Sequence, residues 1–90
     1  MKIKKARRLA KNIMFANAIV TDLGDENNFR PAVGFNQDVL NSAACVLHEA
    51  GICDKETILK YLNELADEIA KEAGQWLLNE FAKEERQHLY

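Results

Sequence analysis

From residue 55 onward the chain offers an apolar side chain at every third or fourth position and almost nothing that would stop a helix. Leu59, Leu62, Ala66, Ile69, Ala73 and Trp76 keep this spacing, and Ile58 and Leu65 widen the seam. A period near 3.6 residues belongs to a helix with one buried face, so the pattern predicts a helix over about 55–88. Gly74 is the weak point in that run. Beyond it the stripe moves, because Leu77, Leu78, Phe81 and Ala82 lie roughly 100° or more around from Ile58, Leu62 and Ile69. The packing partner is expected to change at residues 73–76, where the helix either kinks or breaks at Gly74 or meets a new neighbour.

Two further helices are expected upstream. Leu40, Ala43, Ala44, Leu47 and Ala50 form an apolar stripe over about 37–50, opened by Asn36 as a cap and closed by Gly51. Glycine just past a helix, followed by an apolar residue such as Ile52, is the signature of a Schellman stop, and Asp54 then caps the next helix. Residues 2–23 read as a first helix whose stripe is Ile3, Ala6, Leu9, Ala10, Ile13, Met14 and Val20. Past residue 13 its outer face turns apolar as well, at Phe15, Ala18 and Ile19, so this half is expected to be enclosed all round. Asn17 falls inside the apolar stripe, where it would bond either a symmetry mate or a nearby backbone carbonyl. Residues 24–36 read as a loop that begins with Gly24-Asp25-Glu26-Asn27-Asn28. Its large apolar residues, Phe29, Val33 and Phe35, are expected to pack over a helix groove.

With one proline and four glycines in 90 residues, nothing favours a turn-rich β fold. The expected fold is therefore all-α: a single small bundle of three to four helices. A chain of 10.2 kDa buries only about 64% of its unfolded surface on folding, which is a marginal core. The bundle is accordingly expected to be completed by homodimerisation through Leu59, Leu62, Ile69, Trp76, Leu77 and Phe81.

The small net charge of −2 hides an asymmetry. Residues 1–20 carry six cations and no acid, while the other residues carry six cations and fourteen acids. The basic helix can dock on its own acidic body, on an acidic protein partner, or on a polyanion. Lys4, Lys5, Arg7, Arg8 and Lys11 are the candidate contacts. Docking on the third helix, toward Glu64, Asp67, Glu68 and Glu72, is the favoured reading, since surface charge is usually paired locally or solvated.

Few residues suggest chemistry. Cys45-x2-His48-x4-Cys53 has zinc-ligand residue types, but a fourth ligand would have to come from His88 near the terminus. Cys53 reads better as a small buried turn residue, and Cys45 as an exposed or interfacial thiol. Glu85-Arg86-Gln87-His88 resembles one unit of a di-iron bundle without the second unit such sites need. A helix-turn-helix over Ala44 to Leu62 has Leu47 and Thr57 where that motif wants a small and an apolar residue, and its second helix starts acidic. No phosphate loop or catalytic set is present, so no enzyme activity and no cofactor are expected. The apolar run Ile13–Ala16 is too short for a signal peptide, and no stretch approaches a membrane span. The expectation is a cytoplasmic, non-enzymatic protein interaction module, a small adaptor or inhibitor, whose partners are itself and another protein, with no membrane. The alternative is a nucleic-acid-associated regulator using residues 2–11. Metal analysis of the purified protein should return no stoichiometric zinc, and chelation should leave its far-UV circular dichroism unchanged. One tightly held zinc per chain would overturn the thiol reading.

Overall fold

The computed structural model describes residues 1–25 and 28–88, with the side chains of 25, 28–30, 81 and 84–88 excluded. Its elements are α1 (Ile3–Ala16), β1 (Ile19–Asp25), β2 (Asn28–Gly34), α2 (Gln37–Glu49) and α3 (Lys55–His88). The chain is mostly helical, and the two strands form a single antiparallel hairpin.

The hairpin corrects the all-α expectation. The first helix stops at Ala16 instead of continuing to residue 23, and the expected loop is half strand. Ile19-Val20-Thr21 is a β-branched run, stiff at χ1 and better placed on a pleated strand than in a helix. Asn17 ends α1, and its side-chain amide donates to the Ile13 carbonyl at 2.8 Å, which is the backbone alternative for that residue. The strands pair Ile19 with Gly34 and Val20 with Val33, then shift register twice on the way to Gly24–Phe29. Pro31 lies in the second of these irregularities, a position where a residue without an N–H is tolerated. Gly24 takes a positive φ of 83°, and its N–H donates to the Asp22 carboxylate at 3.0 Å. Of the turn read at residues 24–28, Glu26 and Asn27 lie outside the described residues.

Small residues let α1 and α2 approach closely. Ala6, Ala10 and Met14 recur at four-residue steps on α1, and Ala43 and Leu47 do so on α2; all five are fully buried. Ile52, Leu62, Leu65 and Ile69 complete the core, with Val33 and Phe35 half-buried against it. The side chain of Phe29 lies outside the described residues. The α2–α3 junction is built as its sequence suggests. The Ile52 N–H donates to the Leu47 carbonyl at 3.3 Å and the Gly51 N–H to His48 at 2.9 Å, with Gly51 at φ 99°. Asp54 then accepts from the Thr57 hydroxyl at 2.7 Å and from the Thr57 N–H at 3.2 Å. Those two bonds, the hydroxyl first, hold the Asp54 carboxyl below the usual carboxylate range.

α3 runs unbroken through Gly74, so the expected break there does not occur. The glycine serves a different purpose. A Cβ at that position would lie 2.9 Å from Pro31 Cγ and 3.2 Å from Pro31 Cδ, so the Pro31 ring sits on α3 in the space a side chain there would fill. In the displaced stripe, Leu77 lines a cleft with β1 and Leu78 one with Pro31.

Replacing an exposed helical glycine by alanine normally stabilises by about 1 kcal/mol. Here Gly74→Ala should destabilise, because the proline ring must move. In a Pro31→Ala background, which removes both crowding atoms, the same substitution should regain the usual sign. Urea denaturation of the four variants decides the matter. An equal gain from Gly74→Ala in both backgrounds would show that the hairpin does not rest there.

Candidate functional site

Successive residues of a helix are turned by 100°, so the dipeptide Arg7-Arg8 sends its two charges to different sides of α1. Arg7 faces α3, where its guanidinium meets Glu64 at 3.3 Å and Glu68 at 3.1 Å and lies 5.7 Å from the centre of the Tyr61 ring. One turn further, Lys11 meets Glu68 at 3.5 Å and donates to Glu72 at 2.6 Å. Glu68 thus joins both cations into a ladder, and α1 and α3 run in the same direction. The Glu72 hydrogen bond, together with the charges of Glu72 and Glu68, raises the Lys11 pKa above its ordinary value. Lys4, Lys5 and Arg8 are exposed and make no ion pair among the described residues.

The ladder keeps one offset: Arg7 bonds Glu68 and Lys11 bonds Glu72, each 61 residues apart. The next rung by the same offset is Phe15 with Trp76. Both are open to solvent, Phe15 at 47% and Trp76 at 60% of full exposure. Ile19, Val20 and Leu23 on β1 and Leu78 on α3 are exposed too, and Val20, Leu23 and Leu77 line a shallow cleft between β1 and α3. An apolar end therefore follows the charged ladder.

This arrangement revises the sequence expectation in three places. Leu62 and Ile69 belong to the chain's own core and offer nothing to a second chain. Residues 15–23 are not enclosed: Phe15, Ile19, Val20 and Leu23 are surface residues, which the apolar count alone did not reveal. The β-branched run was the signal that could have placed Ile19 and Val20 on a strand. Cys53 is exposed rather than buried, as is Cys45, and both are free thiols. Leu59 is exposed on the first half of α3, Leu77 is half-buried, and the Phe81 side chain lies outside the described residues. Among the described residues, no three His, Cys, Asp or Glu side chains gather as a metal site. Within the same residues, no helix is long and apolar enough to cross a membrane. The His88 and Glu85 side chains invoked for metal binding lie outside them.

Comparison with known proteins found no matching family model, no matching curated protein and no matching solved structure.

Half-exposed ion pairs contribute a few tenths to about 1 kcal/mol each. The double substitution Arg7→Gln with Lys11→Gln should lower stability by about 1 kcal/mol at low salt and by less at 1 M salt, where the screening length shrinks to about 3 Å. Because the folded state raises the Lys11 pKa, its share is present below the unfolded lysine pKa and is lost as pH rises through the folded value. Comparing Lys11→Gln with wild type by thermal denaturation at pH 8 and pH 11 should show the gap closing at the higher pH. A gap that widens there would contradict the ladder.

Proposed function

We propose that this chain is a non-enzymatic protein interaction module, a small adaptor or inhibitor, that works as a homodimer. The observation that carries this reading is the apolar end. Large apolar side chains on α1, β1 and α3 are exposed, Val20 and Leu23 share a cleft with Leu77, and exposed apolar clusters on small proteins usually mark contact surfaces. Tryptophan is among the side chains that most often anchor an interface, and Trp76 is the most exposed large apolar residue described. The shape supports the same reading. The chain measures 54 × 22 × 19 Å with a radius of gyration of 15.8 Å, against about 12 Å for a compact domain of this length.

A nucleic-acid role for residues 2–11 is the second reading, favoured by one observation: Lys2, Lys4, Lys5 and Arg8 are exposed without carboxylate partners among the described residues. The ladder already occupies Arg7 and Lys11, which weakens it. Light scattering on a sizing column should give twice the chain mass of 10.2 kDa. Anisotropy of a labelled DNA duplex should show no binding at 50 mM or 200 mM salt. Four phosphate contacts would instead give binding that weakens about a hundredfold over that range, and this outcome would favour the second reading.

A further inference from the structure

Along α3, the four-step row Glu64, Glu68, Glu72, Trp76, Glu80 is acidic except at one position. Arg7 and Lys11 pair with its first three members, sharing Glu68. Glu80 lies beyond the end of α1, and its only ion pair among the described residues is an exposed contact with Lys83 at 3.4 Å. Such a contact is weak and easily exchanged. On α1, by the 100° rule, Lys4, Phe15 and Arg8 fall within about 40° of one another on the flank beside the row that carries Arg7 and Lys11. Each chain therefore has spare cations at one end, spare acid at the other, and exposed Phe15 and Trp76 between them.

Resting on the homodimer reading, we infer that two copies dock antiparallel about a two-fold axis near Phe15 and Trp76, with Arg8 of each copy on Glu80 of the other. Helical rise supplies the register. Arg8 lies about 10 Å before Phe15, and Glu80 lies about 6 Å past Trp76, which is level with Phe15. The remaining offset of about 4 Å is within the reach of an arginine side chain. Two-fold symmetry makes the contact self-complementary, so each pair forms twice. The area also fits. The isolated chain exposes 6849 Å², about 1,500 Å² more than a compact chain of its mass, and a standard interface covers about 800 Å² on each partner. Within one copy the match is closed off, because Arg8 is turned about 60° or more from the Arg7 and Lys11 row that meets α3 and Glu80 is past the end of α1.

Sedimentation equilibrium on the full chain tests this mode. Trp76→Ser should raise the dimer dissociation constant about 30-fold, the usual effect of truncating an interface anchor, with helicity unchanged since the side chain is exposed. Arg8→Glu and Glu80→Arg should each weaken self-association at least fivefold. An equimolar mixture of the two should restore it, because both cross-copy pairs of the mixed dimer are then opposite in charge. A wild-type dimer that is indifferent to Trp76→Ser, and charge variants that do not rescue one another, would overturn this docking and leave the homodimer standing. A 10.2 kDa species at 100 µM would remove both.

Discussion

α3 holds 34 of the 90 residues, and at 1.5 Å per residue it is about 51 Å long, nearly the whole 54 Å of the molecule. The other four elements must be laid along that rod, and two helices of 14 and 13 residues span only about 20 Å each. They cover the half that carries Leu62, Leu65 and Ile69 and leave the half beyond Gly74 to the hairpin. A rod with one dressed half has more surface than its mass requires. The open apolar end follows from this shortfall of covering chain, not from any unusual richness in apolar residues.

Where structure is decided by neighbours in sequence, the chain could be read in advance. The Gly51-Ile52 stop and the Asp54 cap use backbone groups within six residues of one another, and both form as expected. The long seam of α3 is equally local, since periodicity alone reveals it. The hairpin was not legible in the same way. Ile19-Val20-Thr21 continues the apolar content of α1 closely enough to pass for helix, and its strand character depends on partners 11 to 15 residues away. Gly74 misled for a related reason. In sequence it is a helix breaker, whereas in the fold its missing side chain leaves room for the Pro31 ring against the helix. Its role belongs to a contact 43 positions away. The candidate site divides along the same line. Trp76 and Leu77 stood out because the stripe shifts at them, while Phe15, Val20 and Leu23 became surface residues only once the chain turned at Asn17.

The charge pattern has its own geometry. Six cations in eleven residues cannot all reach one acidic row, because the helix turns each neighbour of a pair away from the other. Arg7 and Lys11 reach it and Arg8 does not. The acidic row is in turn longer than the basic one, because α3 continues after α1 ends at Ala16. Surplus of both signs is therefore built in by unequal helix lengths and by helical twist, even though the net charge is only −2.

Surplus charges on rigid, parallel helices cannot find each other within one molecule. To pair Arg8 with Glu80 in the same chain, α1 would have to turn about its own axis and slide toward the end of α3. That movement would break the Arg7 and Lys11 contacts and pull Ala6, Ala10 and Met14 off α2. Removing buried groups of that size from a packed core costs several kcal/mol, far more than an exposed ion pair returns. The core thus holds the spare cations and the spare acid apart, and it holds them on either side of Phe15 and Trp76. An antiparallel copy reverses that order and brings unlike charges together while leaving both cores intact.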